Sequence, residues 1–406
     1  MEKRMKITDI KLWQLEGNMP YKGTLWEERA GRPLDIYPSY RSQSAKDTIG
    51  RQFPPAGNNS YKVTQTFLVV ETDESVSGVV GPLTGDGTAY YIITQLKPLL
   101  VDKNPLATEL LWELMYRNTP NGRSGDNMIA ISYLDYALWD IKGKWANQPV
   151  HRLLGGPVQE GIPAYASTAG FSLEPEQAAK RVKMIKEEGY AGSKWFFRCG
   201  VGDGIAGKKK NVQLMESLRE AAGPNMDIMI DAWANWGLPY SIKMAHALKD
   251  YNPAWIEEPI QYDLYESYLE LKSKSPIAIA GGEHEFTRWN VKTLLDRNVF
   301  DIYQFEPVWA GGVSELIKIN ALVTSYGATF IPHVYLPAAS AQIAFALNTI
   351  TTPMLEYHYI LGEIYQFFIL DPVKPKRGIF YPPEKSGLGI SIDSNKVKKR
   401  KQILYG

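Results

Sequence analysis

The sequence predicts an α/β fold built around a parallel sheet of about eight strands closed into a barrel. Two observations point there. From about residue 160 onward, short apolar strands alternate with amphipathic helices. Ionisable residues also recur behind those strands at intervals of 37, 26, 26, 23, 27 and 23 residues, close to the length of one βα unit. A third observation bounds the barrel: the first 158 residues do not share this alternation.

Taken in order, residues 6–16 (KITDIKLWQLE) alternate well enough for a strand. Residues 17–64 are rich in Gly, Pro, Asn, Tyr and Arg and show no period, which predicts a long loop. A loop of that length is usually functional or disordered, and its aromatic residues argue against disorder. TQTFLVVETD and SVSGVVGP predict a hairpin. Residues 88–156 predict helices, with Ile129, Ile131, Leu134, Ala137, Leu138 and Ile141 forming an apolar stripe and Gly155-Gly156 ending the segment. IPAYAST, YAGSKWFF, MDIMIDA, AWIEEP, IAIAGGE, FDIYQFEP, ATFIPH and PMLEY are the barrel strands. CGVGDGIAGKKK lacks the GK[ST] ending of a phosphate loop and is read as a mobile βα loop. After Tyr359 the pattern stops, and a tail rich in Pro and Lys ends in KVKKRKQ, read as a solvated terminus.

The chain has 406 residues, 44% hydrophobic and 22% charged, with a formal net charge of +1. No global field recruits nucleic acid or an acidic membrane. Cys199 is the only cysteine, so neither an internal disulfide nor a thiolate-rich metal site is available. The start lacks the apolar stretch of a signal peptide, and no apolar run reaches the roughly 18 residues of a membrane span. A cytoplasmic protein is expected.

The polar residues behind successive strands are Lys194, Asp231, Glu257, Glu283, Glu306, His333 and Glu356. In a barrel of this kind they converge at the C-terminal face, where sites are built. Five of the seven are carboxylates, which repel one another unless a cation sits among them. An Asp and two Glu from adjacent strands form a hard, oxygen-rich set suited to Mg²⁺. Glu283 in IAGGEHEF is then a metal ligand, with His284 and Glu285 beside it. His333, with Glu306 on the preceding strand to hold its ring, has the makings of a general base. Lys194 is the rival base.

Several segments together resemble the enolase superfamily, in its mandelate racemase-like branch of acid-sugar dehydratases. They are LDYALWDIKGKWANQPVHRLLGG, DAW at 231, EEP at 257, GGE at 283, PVWAGG at 307, IPH at 331 and LGISID near the end. KWFF, DAW, GEH and GRPLDIYPSYR are most similar to the L-rhamnonate dehydratase group and related aldonate dehydratases. The resemblance implies a (β/α)7β TIM-like barrel at 159–362 and an α+β capping domain. The capping domain is formed by residues 1–158, with 17–64 covering the substrate, and by a C-terminal segment, 363–406, that returns to it.

It also implies metal ligands Asp231, Glu257 and Glu283, with Glu258 the alternative in the EE pair. His333 is then the acid/base and Glu306 its partner, while Glu356 and Lys194 contact the substrate carboxylate. Trp233, His284 and Arg41 flank the substrate. The implied reaction is Mg²⁺-dependent dehydration of a rhamnonate-, xylonate-, arabinonate- or gluconate-type acid to a 2-keto-3-deoxy acid. The alternatives are a racemase or epimerase of a 2-hydroxy acid, or a weakly active regulatory binder of sugar acids. A small-molecule acid sugar is the expected partner, in a homo-oligomer of two to eight copies. Two departures stand out. Phe196 occupies the place of a second lysine base, and QFE replaces a QPD-like stretch, so that Glu306 stands where an Asp is usual.

Overall fold

The structure is a computed structural model that describes residues 5–37, 39, 40 and 53–405. Its first sheet is antiparallel. Strand β1 (Ile7–Pro20) pairs along its whole length with β3 (Ser60–Thr72), and β2 (Pro55–Gly57) and β4 (Gly78–Val80) pair with β3. The hairpin expected from TQTFLVVETD and SVSGVVGP is the β3–β4 pair. The loop expected over 17–64 is shorter than predicted, because both of its ends are strand: Gly17 pairs with Val63 and Pro20 with Ser60. Polar residues alternate there with buried Met19 and Val63, and that period of two was hidden by the surrounding Gly and Pro.

Eight strands then form the parallel sheet: β5 (Ile162–Ser167), β6 (Gly192–Phe196), β7 (Asp227–Asp231), β8 (Ile256–Glu257), β9 (Ile279–Gly281), β10 (Ile302–Tyr303), β11 (Thr329–Phe330) and β12 (Leu355–His358). β5 to β11 pair in chain order, and β12 returns to pair with β5, giving a (β/α)7β barrel. Alternation along the strands explains the site. Tyr165, Met229, Trp255, Ala280 and Ile331 pack together as an apolar floor inside the barrel. Two residues further on, Ser167, Asp231, Glu257, Gly282 and His333 stand on the same side, one layer higher.

The tail divides between the two sheets. β13 (Ile379–Phe380) adds antiparallel to β5 of the barrel, so this part of the tail belongs to the barrel's edge. β14 (Lys399–Ile403) adds to β1, pairing Leu12 with Ile403, which places the basic run KVKKRKQ in the sheet. The expected apolar stripe is wider than one face. Helix Gly125–Trp145 is buried on nearly every side from Met128 to Ile141, as an all-round apolar helix must be. Its Asp135 accepts hydrogen bonds from Ser314 N (2.9 Å) and Ser314 Oγ (2.7 Å) of barrel helix Val313–Ser325, tying cap to barrel. The segment CGVGDGIAGKKK is regular structure: a 3-10 turn at Val201–Asp203 leads into helix Gly204–Ala222. Among the described residues no helix is long and apolar enough to cross a membrane.

Candidate active site

The bowl at the C-terminal end of the barrel is a cavity of about 370 Å³. Its walls include Asp231, Trp233, Glu283, His284, His333 and His358 from the barrel, Thr84 from the segment after β4, and Trp26 and Ala30 from the residues after β1. The latter segment is fastened to the barrel: Glu27 N donates to Gly170 O at 2.7 Å, and Arg181 pairs with Glu27 at 2.6 Å. Arg41, expected beside the substrate, lies outside the described residues.

Lys194 stands within β6 and is completely buried. Its ammonium donates to Glu257, lies 2.9 Å from Glu356 Oε1 and 3.5 Å from Asp231 Oδ2. Burial opposes its charge, but Glu257, Glu356 and the other acids raise its pKa well above the ordinary lysine value. Surrounded by these acids, the lysine is held as a cation. Glu356 is the acid it serves best. Burial opposes that charge, yet His358, Lys194 and His333 hold the carboxyl well below its usual range. Glu257 is fully engaged, since its Oε2 also accepts from Gln304 Nε2 (2.7 Å) and Trp255 Nε1 (3.1 Å). Asp231 is less well compensated. Trp233 N donates to its Oδ1 at 2.9 Å, but burial and Glu257 push its pKa well above normal.

Across the bowl the partners are imidazoles. His333 Nδ1 lies 2.7 Å from Glu306 Oε2. Glu306 is itself fixed by Val308 N and Tyr335 N, both donating at 2.8 Å, so the extra methylene of Glu relative to Asp still reaches the ring. His333 Nε2 faces Glu283 Oε2 at 3.5 Å. Burial disfavours the imidazolium, but Glu283 and the bond to Glu306 raise the His333 pKa to about 10. His284 stacks on Tyr262, with centroids 4.0 Å apart, and its Nδ1 meets Glu258 Oε2 at 3.1 Å. Its pKa rises to about 9: burial lowers it, and Glu258 and Glu283 more than reverse that. Glu283 is raised to about 7, chiefly by burial.

Three features were not anticipated. Glu285 accepts from Tyr265 (3.0 Å) and Asn290 and does not line the cavity. Glu258 sits with Glu283 and His284, their ligand atoms all within 4.8 Å of one another, whereas Glu257 faces Lys194. His358 was missed altogether. It is buried in the cavity wall with its Nε2 3.2 Å from His333 Nε2. The signal was available: two residues after Glu356 on one strand means the same face.

The backbone carries strain at the same place. Trp233, Ala234 and Glu258 adopt φ of 38°, 52° and 38°, which bulky residues avoid without compensation. The glycines of IAGGEHEF serve this geometry. A Cβ on Gly281 would meet Phe300 at 2.8 Å, and Gly282 has φ of 110°. As for a metal, the buried set Asp231, Glu257, Glu258 and Glu283 offers hard oxygen donors, and among the described residues Lys194 is the one permanent cation paired with any of them, so the residues fit a hard divalent cation.

Comparisons with known proteins give a consistent result. The family described as mandelate racemase / muconate lactonizing enzyme, N-terminal domain, matches residues 56–155, and the enolase C-terminal domain-like family matches residues 176–396. The L-rhamnonate dehydratase of Saccharopolyspora erythraea is 30% identical over 377 residues, 90% of each chain. Among solved structures, L-rhamnonate dehydratase from Gibberella zeae superposes with a TM-score of 0.82 at 26% identity, covering 98% of this chain and 96% of that one. A second structure of the Gibberella zeae enzyme, complexed with Mg, gives a TM-score of 0.83 at 25% identity over the same shares.

Proposed function

The chain belongs to the enolase superfamily, in the mandelate racemase and muconate lactonizing branch, and on that premise we propose that it is a Mg²⁺-dependent sugar-acid dehydratase. The substrate is an aldonic acid with a 2-hydroxyl and a 3-hydroxyl, of the rhamnonate, xylonate, arabinonate or gluconate type. The observation that carries this reading is the His333–Glu306 pair at 2.7 Å, opposite a wall where Phe196 stands in place of a second base.

Asp231, Glu257 and Glu283 would hold the cation, with Glu258 close enough to Glu283 to share the work. When bound, Mg²⁺ supplies positive charge against the substrate carboxylate and lowers the cost of losing the C2 proton. His333 Nε2 removes that proton. The C2–H electron pair becomes the C2–C3 double bond, the C3–O bond breaks, and the hydroxyl leaves as water with a proton returned by His333. The enol then becomes a 2-keto-3-deoxy acid. Glu306 holds Nδ1–H and stabilises the imidazolium. Lys194 and Glu356 pair with each other outside the cavity lining, and the lysine reaches the bowl through Asp231. Trp26 and Ala30 close the bowl from above, Trp233 and His284 form its side, and together they limit water.

With a single base, elimination is favoured over racemisation, which needs a group on each face. A panel of five- and six-carbon aldonates, assayed for 2-keto acid with and without a chelator, tests the reading. Turnover that depends on Mg²⁺ supports it. C2 deuterium exchange without elimination identifies a racemase or epimerase instead, and binding without turnover identifies a regulatory binder. We further propose that identical copies assemble, to be measured by light scattering.

A further inference from the structure

Where β11 meets β12, at the closing edge of the barrel, a second group of ligand-type atoms comes together. His333 Nε2 and His358 Nε2 are 3.2 Å apart, and His358 Nε2 is 3.7 Å from Glu356 Oε2. All three ligand atoms lie within 4.8 Å of one another, and all three residues are buried. We propose that His333, His358 and Glu356 form a second cation site, one that takes a borderline-soft transition-metal ion of the Zn²⁺ class. It is separate from the carboxylate site that fits a hard cation.

The chemistry of the donors separates the two sites. Asp231, Glu257, Glu258 and Glu283 offer oxygen, with the single His284 imidazole beside the last two, whereas the second group offers two imidazole nitrogens and one carboxylate. Two imidazoles, one carboxylate and an open position are a donor set used by zinc and non-haem iron, while Mg²⁺ prefers oxygen. The spacing also agrees. In a tetrahedral site with bonds of about 2.0–2.2 Å, neighbouring donors lie roughly 3.3–3.6 Å apart. The observed 3.2 and 3.7 Å lie about 0.1 Å outside either end of that range, within reach of a small side-chain adjustment.

The His333 ring is braced as a metal-binding histidine usually is, through Nδ1 to the Glu306 carboxylate, which leaves Nε2 as the donor facing the group. The His358 Nδ1 is buried without a hydrogen-bond partner, so the second ring lacks such a brace. Outer partners of that kind are typically worth about 10–100-fold in metal affinity, so moderate binding is expected. Two ring nitrogens this close need something between them, either one shared proton or a cation. Occupation of the site by a metal removes the lone pair of His333 Nε2. On the function proposed above, the ion is then an inhibitor that acts at the base.

Protein saturated with Mg²⁺ is titrated with Co²⁺, whose visible absorption is strong in tetrahedral and weak in octahedral surroundings. The expected result is a tetrahedral spectrum that saturates at a single equivalent, is displaced by Zn²⁺ and resists excess Mg²⁺. His358→Gln and His358→Phe are expected to abolish it while calorimetry still detects Mg²⁺ binding, which shows that the bowl has folded. A weak octahedral spectrum alone, or a tetrahedral one unchanged in both variants, overturns the proposal and leaves the shared proton. If no aldonate is turned over, the dehydratase reading falls while the spectroscopic result stands on its own.

Discussion

The bowl has two arcs that treat their acids differently. From β6 to β8, Asp231 and Glu257, with Glu356 of β12 beside them, gather round Lys194, a permanent cation with no exposed surface. From β9 to β11, Glu283 and Glu306, with Glu258 beside them, gather round His284 and His333, whose charge depends on a proton. In the first arc Lys194 and Glu356 keep their charges at neutral pH, so the pair is a fixed framework. The second holds groups raised to about 7, 9 and 10, so it suits moving protons. One barrel face thus separates holding from reacting by the choice of cation opposite each acid.

Substitution at the centre of each arc breaks the contrast most directly. His333→Asn keeps roughly the shape of the ring without a base. It is expected to cost about 10²–10⁴-fold or more in elimination. Solvent exchange of the C2 proton should vanish with it, while calorimetric Mg²⁺ binding persists. Lys194→Met leaves buried carboxylates without their cation, so a loss of about 3–5 kcal/mol in unfolding free energy is expected from urea titration, reduced when Mg²⁺ is added. Unchanged stability would mean that the first arc is not held by its lysine. Glu306→Gln should be gentler than His333→Asn, on the order of 10–100-fold in kcat, because the base remains and only its brace weakens.

The smallest effect is a slope. In chelator-treated protein the second arc holds Glu283 raised to about 7 by burial, and His284 and His333 raised to about 9 and 10 by their acids. An acid with a raised folded pKa contributes most below its unfolded value, about 4.3, and loses that contribution as pH climbs to 7. A histidine raised in the same way contributes below about 6.5 and loses its contribution by pH 9–10. His358, lowered to about 3 by burial, acts with the opposite sign below about 6.5, so the melting temperature without metal should fall between pH 7 and 9. Mg²⁺ binds the deprotonated carboxylates and should flatten or reverse the slope. A flat profile without metal would place the titrating groups elsewhere.

Much of this was legible in the sequence because strand spacing is a local property. The intervals near 25 residues located Asp231, Glu257, Glu283, Glu306, His333 and Glu356 behind successive strands, and the eight strands follow the predicted runs. What escaped depends on side-chain direction. Nothing in the spelling EEP says that the first glutamate faces Lys194 while the second, at φ of 38°, turns to Glu283 and His284. His358 is masked in the sequence by Glu356, because one polar residue is enough to mark the end of each strand. The strands at both ends of the 17–64 stretch were hidden because a short alternating run resembles a loop until its partner strand is known.

One pairing in the first sheet governs how the molecule is made. β14 lies beside β1, so Leu12 waits for Ile403 across nearly the whole chain. Contacts that distant are slow to form, and β14 leaves the ribosome after every other strand of both sheets. The barrel strands emerge in order and pair with neighbours already present, whereas the first sheet lacks an edge until β14 appears. During translation the half-made sheet exposes the backbone of β1, the kind of open edge that recruits other chains. Lys399, Arg400 and Lys401 cover that edge in the finished protein, and their like charges keep the last strand from pairing with its own copies in the meantime.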